Sequence, residues 1–469
     1  MNTFLTVISV LVLVYFVAIQ LVLLAQAIVS GFSLYRDRLK ERFGRSADML
    51  ASDLAPPVSI VVAAYNEAAG IVEAIRSMAM VSYPRFEIVV TNDGSTDDTL
   101  ERLIEAFEMI PVPFPVRANI PTAPVRRVYK STLPIPLTVV DKENRGRADA
   151  LNTSINASRY PYVMATDADV LIDGDALIHA MRLIAEDRER VVAVGGNVRP
   201  LNGCRIRHGH VVEAALPESL FERYQLLEYL RSFVASRPAW STLNCLPLLS
   251  GAFGIFRRDV VAEVGGFASG HLGEDLDLTM RIHRHMRRLG RPYRMLYAPR
   301  AVVWTEVPPT RQILRRQRIR WHRGLMTAVK DFRSSFFNPR HGTVGMVSWP
   351  VMVLFEFLAP VVEFLGWVAI PLAVIFGAVS ISNVLLLFVL ALLLGAITSL
   401  AALLLDERYG HFNDPKETLS LLTLVFVENL GLRQVTVWWR IRAMLGGAET
   451  RLWGDMERRG ATALARKAS

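Results

Sequence analysis

Asp167 and Asp169 stand one residue apart at the end of an apolar run, Tyr162-Val163-Met164. Alternate residues of a strand face the same side, so both carboxylates would project together. Such a pair is costly unless a cation lies between them. A divalent metal carrying a diphosphate meets that need. Other acids also follow apolar runs: Glu67 after Val58-Ser59-Ile60-Val61-Val62-Ala63-Ala64, and Asp93 after Phe86-Glu87-Ile88-Val89-Val90. Glu274 and Asp275 open a helix after Gly273. Each has a plain reading as well. Asp93-Gly94 could be a turn with Thr96 or Asp97 capping the next helix. The pair at 167 and 169 could be solvated, and Glu274 and Asp275 could complement a helix dipole. Their recurrence at successive strand ends argues for one site.

The elements that must position them alternate between continuous apolar strands and helices over the middle of the chain. That pattern predicts an α/β domain with a doubly wound, mostly parallel sheet. Ligands in such sheets bind beyond the C-terminal strand ends, where Glu67, Asp93 and Asp169 fall. Helices are expected at 69–80, 175–185, 213–233 and 308–329, the last carrying Arg311, Arg315, Arg316, Arg318, Arg320 and Arg323. The proline-rich stretch 110–136 is expected as a surface loop or flap. A glycine turn, Asn144-Arg145-Gly146-Arg147, opens another helix with two arginines at its mouth.

Hydrophobic residues make up 52% of the 469, yet 21% are charged. The apolar residues concentrate at the N-terminus and after about residue 344, as in a membrane protein with a large water-exposed domain. Residues 4–28 carry no charge and are long enough to cross a bilayer. They lack the features of a signal peptide. Arg36, Arg38, Lys40, Arg42 and Arg45 follow, which would put that end of the span in the cytoplasm. The net charge of +9 crowds beside the apolar segments, pointing to a cytoplasmic membrane face and anionic lipid rather than nucleic acid. Cys204 and Cys245 have no metal-ligand spacing, and neither a disulfide framework nor a zinc site is expected. After the middle domain come three apolar segments, 344–379, 383–405 and 419–439. An odd number of crossings would separate the domain from the basic tail, so either the first segment holds an in-plane helix plus two short passes or, the favoured expectation, one polar segment does not cross fully. Glu356, Glu363, Glu428, Asn429 and Arg433 would either line a polar path or pair between helices.

Taken in order, Val61-Val62-Ala63-Ala64-Tyr65-Asn66-Glu67, Asn92-Asp93-Gly94-Ser95, Asp167-Ala168-Asp169, Gly273-Glu274-Asp275 and Gln317-Arg318-Ile319-Arg320-Trp321 resemble the motifs of the membrane-embedded family-2 glycosyltransferases. That group includes cellulose, chitin, hyaluronan and poly-N-acetylglucosamine synthases. The resemblance implies the A-type glycosyltransferase fold flanked by transmembrane and interfacial helices. It divides the chain into a transmembrane helix (1–32), a basic linker (33–55), a cytoplasmic catalytic domain (56–307), a basic interfacial region (308–343), transmembrane or re-entrant helices (344–440) and a basic tail (441–469).

By that resemblance, Ala64, Tyr65, Glu67 and Asp93 would hold the nucleotide of a UDP-sugar, with Arg147, Asp167, Gln317, Arg318 and Arg320 completing the donor site. Asp169, with Asp167, would take Mg2+ or Mn2+. Asp275, beside Glu274, would be the general base of an inverting single displacement. Ser250, Gly251 and Trp321 would face the acceptor. Many relatives carry lysine where this chain has Arg147, which keeps the charge but not its shape. The implied function is elongation and export of a polysaccharide at the inner membrane, with membrane lipids and a small accessory subunit as partners. Transfer of one sugar to a lipid, or a non-catalytic transport role, are the alternatives. No cyclic-dinucleotide receptor domain is expected after Trp439.

Overall fold

The structure, a computed structural model, describes residues 2–43, 55–113, 116–207, 209–407, 415–428 and 431–446. Helix α1 (Asn2–Phe43) takes up the apolar N-terminus and is long and apolar enough to cross a membrane. It runs on past residue 32, where a linker is expected, because residues 33–43 contain neither glycine nor proline to stop it.

The next units are β1 (Val58–Ala64), α2 (Ile71–Ala79), β2 (Phe86–Asn92) and α3 (Thr99–Ala106). After β3 (Met109–Pro111) and β4 (Val125–Ser131) come β5 (Leu137–Lys142), α4 (Arg147–Ala157) and β6 (Tyr162–Asp167). Then follow β7 (Leu171–Ile172), α5 (Ala176–Glu186), β8 (Val191–Pro200), β9 (Arg205–Arg207) and β10 (His210–Glu213). A kinked helix consists of α6 (Leu220–Tyr229), a wide π-type segment (Leu230–Ser236) and α7 (Arg237–Thr242). The domain closes with β11 (Gly254–Arg257), α8 (Arg258–Glu263), α9 (Glu274–Arg288), β12 (Arg294–Thr305) and α10 (Arg311–Asp331).

Ten strands form one mixed sheet in the order β3-β4-β5-β2-β1-β6-β11-β8-β12-β7. The expected parallel pairing holds through β5-β2-β1-β6 and again between β8 and β12. Strand β11 runs antiparallel to both β6 and β8 and joins the two parallel blocks. The parallel strands are buried along almost their whole length, which is why they appear as unbroken apolar runs. In register, Ala64 lies opposite Asn92 and Ala63 opposite Asp167, so three C-terminal strand ends are level.

Two expectations change. The proline-rich stretch contributes β3 and β4, which pair antiparallel with each other, and β4 pairs with β5. Its prolines flank β4 rather than interrupt it, so that strand keeps its donors. The helix expected from residue 213 begins at Leu220. Residues before it form β10, and Ser219 with Glu222 makes a capping box that sets the start. Pro238, without an N–H, sits where the wide turn passes into α7.

Beyond the domain, 344–357 and α11 (Ala359–Ile375) meet at a 40° bend, and α12 (Ile381–Glu407) is a second long apolar helix. Among the described residues, two helices are therefore long and apolar enough to cross a membrane, or three if the bent pair is one span. The third apolar segment is broken into α13 (Pro415–Val427) and α14 (Leu432–Leu445). Asn429 and almost all of the tail lie outside the described residues. The acids of this region pair with arginines: Glu363 accepts from Arg433 at 2.7 and 3.1 Å, Glu428 from Arg231, and Glu356 lies 3.5 Å from Arg440. Of the two readings for these groups, pairing is the arrangement observed. Both cysteines are free and buried.

Arg199 on β8 pairs with Asp406 at the end of α12, each 2% exposed, joining the α/β domain to the long apolar helix. Replacing Arg199 with Met strands a buried carboxylate, at a cost of about 3–5 kcal/mol. Thermal unfolding of the detergent-purified protein should show that loss for Arg199→Met, and much of it recovered in Arg199→Met/Asp406→Leu. A double variant no more stable than the single one would contradict the pairing.

Candidate active site

At the β1–β2 edge, the Asp93 N–H donates to the Ala64 carbonyl at 2.9 Å. Its carboxylate is 2% exposed and accepts from the backbone N–H groups of Arg145 (3.1 Å) and Gly146 (2.7 Å). Lys142, completely buried at the end of β5, pairs with Asp93 and with Asp149 at 2.8 Å. Gly94 has φ +62°, and a Cβ there would lie 2.9 Å from the Asn144 nitrogen. The Asp-Gly pair therefore does more than turn the chain: it lets the 143–146 loop lie against the strand end. Asn66, Glu67 and Ala68 are bonded to Thr96, Thr99 and Asp97, so the loops after β1 and β2 form one rim. Tyr65 stands 46% exposed on it.

The second centre is Arg147, the first residue of α4. It donates from Nε to Asp167 Oδ1 (2.7 Å), from Nη1 to Glu274 Oε1 (2.5 Å) and from Nη2 to the Gly251 carbonyl (3.0 Å). Burial alone would lower its guanidinium, but Asp167 and Glu274 outweigh it and hold the group firmly charged. Gly251 in turn donates its N–H to Asp275 Oδ2 at 3.3 Å, and Asp275 Oδ1 accepts the Leu276 N–H at 2.8 Å. Burial, then the neighbouring Glu274, pushes the Asp275 carboxyl up to about 6. Ser250 lies in the same turn, and Ala252 accepts from Thr166 Oγ1 at 2.8 Å, fixing the turn to β6.

Helix α10 reaches this centre through a glycine contact. A Cβ on Gly324 would lie 3.1 Å from the backbone of Leu272 and Gly273, immediately before α9. That close approach brings Arg320 to Glu274 and Asp275. Arg320 lies among Glu274, Asp167 and Asp275 with Arg147 nearby, and burial lowers its guanidinium. Arg318 instead donates to Glu228 Oε2 at 2.5 Å and sits 4.7 Å from the Trp321 ring centre. Trp321 is 42% exposed, whereas Gln317 is buried with Oε1 lacking a partner. Asp169 lies in the field of Tyr229, whose phenol burial pushes up to about 12.

Residues 56–324, more than half of the chain, match the family described as "Glycosyltransferase like family 2". The chain belongs to glycosyltransferase family 2. A poly-beta-1,6-N-acetyl-D-glucosamine synthase of Staphylococcus epidermidis is 25% identical to this glycosyltransferase over 397 residues, covering 82% of this chain and 81% of the relative. The synthase of the same name from Staphylococcus aureus strain COL is 28% identical over 285 residues, covering 60% and 58%. Among solved structures, the mannosyltransferase PcManGT from Pyrobaculum calidifontis, in complex with GDP-Man and Mn2+, aligns with TM-score 0.47 at 20% identity, covering 90% of this chain and 98% of its own. Residues 1–349 of TarS from S. aureus, in complex with UDP-GlcNAc, align with TM-score 0.37 at 18% identity, covering 58% and 66%.

In this glycosyltransferase, Arg147, Asp167, Gly251, Glu274, Asp275 and Arg320 come together, and Asp93 forms a neighbouring centre. Arg318 and Trp321 face Glu228 and open space. Among the described residues no three His, Cys, Asp or Glu side chains form a self-contained metal cage. Asp169 and Asp167 are hard oxygen donors at a strand end, and the latter already gives one oxygen to Arg147. That set suits Mg2+ or Mn2+ keeping its other positions for diphosphate oxygens and water. Lys142, Glu228 and Tyr229 escape the motifs. Lys142 alone left a trace, as the lysine that follows Asp141 at the end of a buried strand.

Gly324→Val should push α10 away from α9 while leaving the sheet intact. A displacement of about 1 Å at such a site costs on the order of 100-fold in rate. Sugar-transfer kcat/KM should fall by that order with little change in Tm. Unchanged kinetics would show that the glycine contact does not position the arginine helix.

Proposed function

We propose that this glycosyltransferase uses a UDP-sugar, of the N-acetylglucosamine type, to elongate a β-linked polysaccharide by an inverting, metal-dependent displacement at the cytoplasmic membrane face. The observation that carries this reading is the Arg147 cluster. It draws an acid of the β6 end, the acids of α9 and the 250–251 turn into one buried centre beside the Asp93 pocket. The N-acetylhexosamine donor rests on the names of the two staphylococcal relatives.

In this mechanism Ala64, Tyr65, Glu67 and Asp93 hold the uridine part, with the Asp93 carboxylate kept rigid by Lys142 and the 145–146 amides. Arg320 faces the diphosphate, with the buried Gln317 on the same helix, while Arg318 is held by Glu228. A Mg2+ or Mn2+ held by Asp169 and Asp167 would neutralise charge on the departing group. Asp275 takes the proton of the acceptor hydroxyl as that oxygen bonds to the anomeric carbon. The bond from that carbon to the diphosphate oxygen breaks and UDP leaves with the electron pair, inverting the centre. Arg147 is a positioning residue: it holds Glu274 and the Gly251 amide that touches Asp275. Trp321 and the 250–251 turn face the acceptor sugar. The long apolar helices would anchor the enzyme, and passage of the growing chain through them completes the proposal.

Detergent-purified enzyme incubated with a panel of radiolabelled UDP-sugars and Mg2+ or Mn2+ should give a ladder of long products from UDP-N-acetylglucosamine. One short glycolipid would favour the lipid-acceptor alternative, and no turnover of any donor would overturn the reading.

Because the base must be ionised, kcat/KM should fall below pH 6 and level off above about pH 7, tracking the raised Asp275 carboxyl. Asp275→Asn should lower transfer by about 10²–10⁴-fold. Undiminished transfer by that variant would remove Asp275 from the role of base.

A further inference from the structure

Arg237 opens α7 immediately after the π-type segment and is 8% exposed. Among the described residues its guanidinium has no hydrogen-bond or ion-pair partner. It lies over the Phe233 ring at 3.9 Å, and Phe233 packs on Tyr229 with ring centres 5.6 Å apart. Positions 229, 233 and 237 thus form one stripe along the kinked helix. The stripe is held from behind: Ser30 of α1 donates to the Ala235 carbonyl (2.8 Å) and accepts the Ala239 N–H (3.1 Å), while Ser236 bonds Gln26. A solvated surface arginine would need no such support.

A buried cation without an anion costs several kcal/mol, so it persists where something else occupies its donors. Its neighbours tell which side of the site it serves. The charged and phenolic groups it feels are Tyr297, Asp275 and Tyr229. Arg320, by contrast, feels Glu274 and Asp167 before Asp275. Arg320 is thus shared among Glu274, the β6 acid Asp167 and Asp275, whereas Asp275 is the one carboxylate that Arg237 feels.

Resting on the reading of Asp275 as the base, we infer that Arg237 is an acceptor-subsite residue that binds the terminal sugar of the glycan. Its N–H groups donate to the uncharged oxygens of that sugar, hydroxyl or amide carbonyl, while Phe233 holds the guanidinium plane flat. The fork orients the sugar ring so that one hydroxyl meets Asp275. Arg147 and Arg320 are tied up among acids, which leaves this function to Arg237.

The test compares wild type, Arg237→Ala and Arg237→Lys in donor and acceptor titrations with a UDP-sugar panel and short β-linked oligosaccharides. Loss of a charge-assisted hydrogen bond should raise the acceptor KM by about 10- to 100-fold in Arg237→Ala. The donor KM should stay within about twofold, since no interaction with the donor is lost. Arg237→Lys keeps the charge without the fork and should fall between. Added guanidinium ion should partly restore the Ala variant, which a purely structural role would not allow. A raised donor KM with unchanged acceptor KM would reassign Arg237 to the diphosphate, and unchanged values for both would make it structural. Either overturns the inference while leaving the proposed function standing. Wild type inactive with every donor would overturn both.

Discussion

The Arg147 guanidinium is the interaction on which the site depends. One planar group binds the end of β6, the start of α9 and the turn before β11, which lie 20, 127 and 104 positions from it in sequence. Each of its three contacts satisfies a donor that burial has taken from water. Without it, Asp167, Glu274 and Asp275 would stand together without that counter-charge, and such groups titrate upward or move apart. The sheet exists, in this sense, to bring those segments within the reach of one side chain. Level strand ends place Asp167 beside the rim formed by the loops after β1 and β2, antiparallel β11 returns the 250–251 turn to the same edge, and the Gly273–Gly324 contact lets α10 close over it.

The same pairing logic governs the junction with the membrane segments. Arg199 with Asp406, Arg231 with Glu428 and Arg433 with Glu363 each join elements distant in sequence. In an apolar environment an unpaired carboxylate is far costlier than a paired one, so these groups act as register marks between helices and domain. The wide turn at 230–236 belongs to this junction too. It bonds α1 on one side and carries Phe233 and Arg237 on the other, so the N-terminal apolar helix and the surroundings of Asp275 share one element.

Much of the fold was legible because periodicity reports burial. Strands β1, β2, β5 and β6 are apolar throughout because both faces are covered, and the acids beyond them stand out for that reason. Elsewhere local pattern misleads. Prolines at 121, 124, 134 and 136 disguised β4, whose pairing onto β5 is a long-range event. The helix beginning at 220 rather than 213 turned on a cap and on β10 pairing with β9, neither visible in the amphipathic pattern. Arg147 was legible as a cation at a helix mouth, but its observed partners are protein acids.

The sequence by itself determined that β1, β2 and β6 are core strands, which segments are apolar enough for a membrane, and that carboxylates follow those strand ends. These are properties of residue type and spacing, and they survive without knowledge of neighbours. Only the tertiary structure decided which cation meets which acid: Lys142 under Asp93, Arg147 between Asp167 and Glu274, and Arg237 without an ion-pair partner among the described residues. Electrostatic partnership depends on distance in space and on burial, and neither follows from a linear order in which the partners lie tens to hundreds of residues apart.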